Sequence, residues 1–595
     1  MASEKRYLIT TADVRTWKFD RSVVFLGEWC CVYSRKTIWE KMDAVVASPY
    51  GLGLAKKDAD YAFANELQTR TFVKFCDLLN QHHGTQYSQR FWKIVLGHWY
   101  RRAIDVLLNR VNALKQCLNE YDVSGTTVAT TEAYSLATSD SYSAIWAVND
   151  DVWNCALTGR ILGLLEGVKF PIEYLKGDIN DKIIFEFEQS VGNMSVKKRI
   201  LLLPVNIIFN VTKIFSKKND GIIISSYLPL QKEIELCLAL GQFPRKWFSP
   251  NLKITEKPDR FIRERLSSRF KSQSGNDLEF IITSLLFELL PVCFLEGFKN
   301  LLKIANKQPW PRSPKFIFTC NNFDTDEIFK IWTAQKIEKG VKYFSGQHGN
   351  HYGTHRYVNP SVEEETADKF LTWGWTDGLT QHQPAFIFKT VGSVQKKRKF
   401  TSGGLVLIEA SLDHRIYTWD NYFEFGEYFR EQQDFASRLS EYPKQNLTVR
   451  LFAGHRDLVW DGAARWNEFD PTIRIDDGSS KLSKLIADSR LVVHGYDSTG
   501  VLETMSLNIP TLAFWPNGFD LLRESAKPFY QLLVDAGIVH LSPETAAKQV
   551  NAIWNCIDDW WFSAKVQQAR SEFCSRYARE SISPVRELKQ ILLGS

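Results

Sequence analysis

The second half of this 595-residue chain alternates short apolar runs with stretches of helical periodicity, and that alternation most narrows the fold. Residues 405–408, 447–451, 491–493 and 511–514 read as buried strands, with helices at 428–442, 480–487 and 500–506 between them. A strand–helix–strand unit brings the chain back parallel to itself. The pattern therefore predicts a doubly wound parallel sheet that binds ligands at the carboxyl ends of its strands. A looser series precedes it, with strands at 315–319, 342–345 and 369–373 around a helix at 326–339. A basic, glycine-containing stretch at 395–404 separates the two series and reads as a linker.

Upstream, 7–10 and 23–26 read as strands. Phe91, Ile94, Val95, Trp99, Ala103, Val106 and Leu107 then recur at three and four, which makes one apolar helical face. Helix-rich sequence continues toward residue 305, interrupted by strand-like runs at 199–203 and 221–225. The expected architecture is α/β, with two Rossmann-like domains facing a cleft. The first spans 1–395 and carries a large helical insertion near 60–310; the second spans 396–595 and ends in helices.

A formal charge of +6 on 74 basic and 68 acidic residues, without a long basic run or zinc-finger spacing, argues against nucleic-acid binding. It suits a phosphorylated ligand or a peripheral contact with an anionic membrane surface. No run reaches the roughly 18 apolar residues of a membrane span, and the N-terminus lacks a signal-peptide core. A cytoplasmic location is expected. The ten cysteines show no CxxC pair and read as reduced structural thiols.

The sharpest motif is His494-Gly-Tyr-Asp-Ser-Thr-Gly-Val-Leu-Glu503, between a strand and a helix. Asp497, Ser498, Thr499 and Gly500 fall at the helix start, where free backbone N–H groups and the helix dipole attract phosphate. Glu503, one turn on, is placed for a ribose hydroxyl; the same residues would also make an ordinary helix cap. In Ser345-Gly-Gln-His-Gly-Asn-His351, His348 stands at a strand's carboxyl edge, suited to a phosphate or a reacting hydroxyl. No metal is expected, since no carboxylate accompanies His348, His351 and His355 at ligand spacing. Phe25-Leu-Gly-Glu-Trp29 ends a strand with Glu28, either a base or nucleophile or an ion-pair partner of Arg15 or Arg35. Arg450, followed by His455, Arg456 and Asp457, is a phosphate candidate because arginine binds oxyanions bidentately. Walker, GxSxG, HExxH and GxGxxG signatures are missing, which removes the usual support for kinase, hydrolase and dehydrogenase readings.

Taken in order, several segments resemble a family of bacterial transferases associated with surface-polysaccharide genes. They are Thr10-Thr-Ala-Asp-Val-Arg-Thr-Trp17, Phe25-Leu-Gly-Glu-Trp-Cys30, Tyr87-Ser-Gln-Arg-Phe-Trp-Lys-Ile-Val-Leu-Gly97, Gly346-Gln-His-Gly349, Thr372-Trp-Gly-Trp375 and Asp497-Ser-Thr-Gly-Val-Leu-Glu-Thr504. The resemblance extends over most of the chain. Through Gln347, His348, Gly349, Ser498, Thr499 and Glu503 it is also similar to capsule and lipopolysaccharide transferases that use CMP-activated Kdo-type sugars.

These resemblances imply a GT-B-like glycosyltransferase without a cofactor, with a nucleotide-sugar donor and a glycan or lipid-linked acceptor. CMP-ulosonic acid is the first donor expected, and a UDP-, GDP- or dTDP-sugar the alternative. Glu28 and His348 would act on the sugar across a shared cleft, and the residues around Ser498, with Gln347, Gly349 and Arg450, would hold the nucleotide. A nucleotide-sugar epimerase or a noncatalytic assembly scaffold would fit the same architecture.

Overall fold

The computed structural model describes the chain except residues 1–4, 52, 130–134, 176–184, 188–216, 274, 359, 393–402, 411–424, 453, 455–459, 516–517 and 595. The strand expected at 199–203, most of the linker at 395–404, and His455, Arg456 and Asp457 lie outside the described residues.

Among the described residues three parallel sheets organise the fold, so the stretch expected as a first domain holds two of them. The first sheet comprises β1 (Arg6–Ile9), β2 (Val23–Phe25), β3 (Ala44–Val46), β4 (Val123–Val128) and β5 (Ile172–Tyr174), in the order β3-β2-β1-β4-β5. The second comprises β6 (Ile222–Ile224), β7 (Phe316–Thr319), β8 (Lys342–Gly346), β9 (Lys369–Thr372) and β10 (His382–Pro384), in the order β10-β9-β8-β7-β6. β4, β5 and β6 all fall inside the stretch expected to be a helical insertion, β6 at the strand-like run expected at 221–225.

The third sheet begins at residue 404 and adds two strands to the four expected there. It comprises β11 (Gly404–Ile408), β12 (Leu447–Arg450), β13 (Arg474–Asp476), β14 (Ser489–His494), β15 (Thr511–Phe514) and β16 (Val539–His540), in the order β13-β12-β11-β14-β15-β16. Side chains alternate along β11, with Leu405 and Leu407 in one core and Val406 and Ile408 in another. Burial on both faces is what a parallel sheet covered by helices demands.

Strand order decides where ligands can enter. The first and third sheets reverse direction, between β1 and β4 and between β11 and β14, whereas the second runs in sequence without reversal. A crevice opens at the carboxyl ends of the strands at each reversal.

Two long helices, Leu54–His83 and Gln89–Glu120, pack on each other and help to build one core with the first sheet and one face of the second. The opposite face of the second sheet, including Phe316, Phe318 and Phe344, packs against Val501, Met505, Tyr530 and the closing helices. Those helices, expected to belong to the domain after residue 396, thus cover the second sheet. Helix Pro584–Leu593 contacts helix Leu230–Ala239, and backbone bonds join Arg579 to Trp373 and Ile387, each at 2.8 Å. All ten cysteines are free thiols. No helix among the described residues is long and apolar enough to cross a membrane.

Candidate functional site

At the reversal of the third sheet Ile408 pairs with His494, and both strands end there. The chain turns through Gly495, Tyr496 and Asp497 into helix Thr499–Ser506. Ser498 caps that helix, accepting from the Val501 N–H at 3.3 Å, and its hydroxyl lies 3.2 Å from His494 Nδ1. Burial pushes the His494 imidazole down to about 3, which keeps it neutral beneath the helix start.

The carboxyl edge of the second sheet delivers the other motif to the same place. After β8, Gln347 is fully buried. Its carbonyl accepts from Trp373 N at 2.9 Å and Trp375 Nε1 at 2.8 Å, while its amide donates to the Gly349 carbonyl at 2.9 Å. Gln347 therefore shapes the loop from within. Gly349 faces Thr499 so closely that an added Cβ would stand 3.1 Å from the Thr499 hydroxyl. The next residue closes the junction: Asn350 N donates to Thr499 Oγ1 at 3.0 Å, and its side chain donates to Asp497 at 2.7 Å. Tyr530 donates to the other Asp497 oxygen at 2.9 Å, and His351 Nε2 lies 3.2 Å from the Asp497 carbonyl. Burial raises the Asp497 carboxyl, and His351, Tyr530 and Asn350 offset part of that rise.

His348 sits among three rings at the ends of β6, β7 and β8, with centroids 6.3 Å from Tyr227, 5.5 Å from Phe323 and 5.4 Å from Tyr352. Its Nδ1 is 3.1 Å from the Tyr352 hydroxyl, which in turn donates to the Glu363 carboxylate. Burial pushes the imidazole down to about 4, against the pull of Asp324. Burial would raise the Asp324 carboxyl, but Arg102, His98 and Lys330 outweigh it and hold Asp324 well below the usual carboxylate range. Lys389 approaches the Tyr227 ring at 5.0 Å and pairs with Glu503 at 2.9 Å, so Glu503 bridges to the second sheet's side of the crevice.

The other two expected residues lie further out. The Arg450 guanidinium is bonded to the Asp476 carboxylate and to the carbonyls of Ser480 at 2.9 Å and Gly478 at 3.2 Å, and so braces the turn after β13. Glu28 accepts from the Gly426 N–H at 2.9 Å, at the start of helix Phe425–Ser437 in the third sheet's domain. Arg15 is bonded to Asp13 at 2.9 Å and Arg35 to the Ala12 carbonyl. A cavity of ≈ 470 Å³ opens beside Glu28, walled by Trp39, Arg430, Trp460 and Arg465. Nearby, Tyr33 and Lys36 reach Glu468, the lysine at 2.6 Å. Glu28 thus lies where the first sheet meets helix Phe425–Ser437, and His348 lies among Tyr227, Phe323 and Tyr352 at the second sheet.

Sequence motifs thus led to the His348 loop and the Ser498 turn, which the fold joins. Asn350 lies within the loop motif and Tyr352 directly follows it, so both could have been found there. Glu363, Lys389 and Tyr530 carry no local signal, because only tertiary placement gives them a role.

No curated protein matches the chain in sequence. Among solved structures, S. aureus MnaA with UDP is 11% identical, with 63% of this chain and 97% of that chain covered at a TM-score of 0.35. Acinetobacter baumannii MurG is 9% identical, covering 63% and 100% at 0.32, and the spinosyn rhamnosyltransferase SpnG with spinosyn aglycone is 12% identical, covering 62% and 98% at 0.29. Likenesses this distant say nothing about activity. A family model, by contrast, matches residues 6–592, and on that match the chain belongs to the LIC12162 family of transferases.

Proposed function

We propose that the protein transfers a sugar from a nucleotide-activated donor to a glycan or lipid-linked acceptor, with the nucleotide in the crevice between β11 and β14. The observation that carries this reading is the junction of the Gly349–Asn350 backbone with Thr499. It sets His348 one residue away from a helix start at a sheet reversal, where phosphates bind. Membership of a transferase family supports the reaction class.

In this reading Ser498, Thr499 and Gly500 meet the donor phosphates, and Glu503, held by Lys389, faces the ribose. Gln347, Gly349 and Asp497 shape the walls, and Arg450 braces the turn after β13 further out. His348, neutral at physiological pH, takes the proton from the acceptor hydroxyl while positive charge develops at the anomeric carbon. The helix start meets the negative charge that leaves with the nucleotide. Glu28 serves the acceptor side in its ≈ 470 Å³ cavity. CMP-ulosonic acid is the donor supported by the Gln-His-Gly and Ser-Thr-x-x-x-Glu resemblance, and a lipid-linked acceptor would bring a peripheral membrane contact.

The test is a thermal-shift comparison of CMP, UDP, GDP and dTDP, followed by nucleotide release from the matching sugar nucleotide with and without acceptor glycans. One nucleotide should raise the melting temperature, since saturation to 100 times Kd stabilises by about 2.7 kcal/mol. Release should require acceptor. Stabilisation by none of the four rejects the reading, and conversion of the donor without acceptor would mark an epimerase.

A further inference from the structure

We infer that Tyr352 and Glu363 are positioning residues that fix His348 in the tautomer protonated at Nδ1, leaving Nε2 as the nitrogen that accepts a proton. The choice of Nε2 as the working base rests on the proposed glycosyl transfer; the tautomer itself does not.

The inference follows from counting protons along the contacts. A tyrosine hydroxyl has one proton to give, and an ionised carboxylate can only accept. Burial first, then Glu363, holds the Tyr352 phenol far above its ordinary range, so it keeps that proton and directs it to Glu363. What remains on the Tyr352 oxygen is a lone pair, and it faces His348 Nδ1 at 3.1 Å. A neutral imidazole carries one N–H. Placed on Nδ1, that proton completes the chain from His348 through Tyr352 to Glu363. Placed on Nε2, it would set two lone pairs against each other in a buried contact, at the cost of an unmade hydrogen bond, about 1–3 kcal/mol.

The far end of the chain is anchored by a segment that the nucleotide and sugar roles leave unused. Glu363 lies on helix Val362–Thr366, whose start is fixed by a reciprocal cap between Ser361 and Glu364. Helix Gln89–Glu120, which carries most of the 87–97 motif, docks directly on it. Arg90 donates twice to the Thr366 carbonyl at 3.0 and 2.7 Å, Lys93 pairs with Glu365 at 2.9 Å, and Arg101 donates to the Pro360 carbonyl at 2.8 Å. Gly97 lets the two helices approach: an added Cβ would stand 2.7 Å from Val362 Cγ1. At the next residue, His98 Nε2 comes within 3.3 Å of the second Glu363 oxygen, without the angles of a hydrogen bond. The motif thereby holds Glu363 where Tyr352 can reach it.

Full-length protein labelled with ¹⁵N and ¹³C at histidine tests this at pH 7.5. Long-range ¹H–¹⁵N correlations report which ring nitrogen is protonated, and the His348 signals are identified by their loss in His348→Gln. We expect Nδ1 protonated and Nε2 bare in the unmodified protein; the reverse tautomer, or an even mixture, overturns the proposal. In Tyr352→Phe the single tautomer should give way to a mixture, with turnover at least about tenfold lower and nucleotide affinity unchanged, the pattern of a lost transition-state contact. Retention of the original tautomer in that variant would also overturn it. The tautomer readouts need no substrate, so they stand apart from any failure of the glycosyl-transfer reading.

Discussion

Asn350 and Asp497 lie 147 residues apart in the chain and meet at 2.7 Å, joining the second sheet to the third at the crevice. Removing one side leaves a desolvated polar group without its partner. Asn350→Ala should lower the unfolding free energy by about 1–3 kcal/mol. With Asp497→Ala, a double-mutant cycle should return a coupling of about 0.5–3 kcal/mol. Strict additivity in denaturant melts would mean that the contact holds nothing together.

Ser498 and Thr499 offer hydroxyls and backbone N–H groups at the helix start. The variant carrying Ser498→Ala and Thr499→Ala should bind its nucleotide about 1–3 kcal/mol more weakly, as charge-assisted hydrogen bonds are lost. Calorimetry on a folded double variant decides the point, and an unchanged affinity would move the nucleotide elsewhere.

Glu28→Gln keeps an oxygen for the Gly426 N–H and removes the charge. A carboxylate that acts on the acceptor should then show itself as slower turnover at unaltered nucleotide affinity. Wild-type turnover in this variant would leave Glu28 as a tie between the first and third sheets.

His348, with its imidazole pushed down to about 4, stays unprotonated through neutral pH. The titratable groups that face it are Asp324, Lys389, Tyr227 and the Tyr352 hydroxyl. kcat/KM should therefore run level from neutral pH downward and fall with a midpoint near 4, well below the roughly 6.5 of a free histidine. A midpoint at the free value would assign the limb to another group.

His494 gives a stability test. Its folded value of about 3 lies below the ordinary 6.5, so the unfolded chain binds the extra proton first as pH falls. Its contribution is complete above about 6.5 and is lost as pH falls toward 3. Glu327 and Glu409, raised to about 7 chiefly by burial, act in the opposite sense. The measurement is consequently the difference between the wild type and His494→Gln. That difference should shrink by about 1.4 kcal/mol per pH unit below 6, and a constant difference between pH 7 and 5 would refute it.

Four strands of the third sheet, β11, β12, β14 and β15, were legible as apolar runs spaced by helices, whereas β13 is the partly exposed Arg-Ile-Asp and β16 is only two residues long. The first two sheets ran together for a physical reason. β4 reads Val-Ser-Gly-Thr-Thr-Val, without an apolar period, because its threonines serve the fold by hydrogen bonding: Thr126 to the Leu8 carbonyl at 2.8 Å and Thr127 with Tyr7 at 2.7 Å. β3 and β5 span three residues each, too few for any periodicity to register, whereas β6 lies in the strand-like run at 221–225. At the site, strand ends announced His348 and Ser498, whereas Glu363 sits in an acidic run that reads as a solvated face until its helix is docked. Glu28 was visible at the end of β2, but its partner at Gly426 was not, since a backbone N–H leaves no mark in sequence.

The return of the closing helices over the second sheet sets a timetable for synthesis. The last strand of that sheet ends at Pro384, and the helix that finally covers its outer layer begins at Pro584, about 200 residues later. At 5–20 residues per second, the ribosome needs about 10–40 s to make that stretch. Throughout the interval the wall that Phe316, Phe318 and Phe344 face is still incomplete. A nascent chain therefore leaves this face of the second sheet partly uncovered for that time, and a stop before residue 584 removes a wall of the interior.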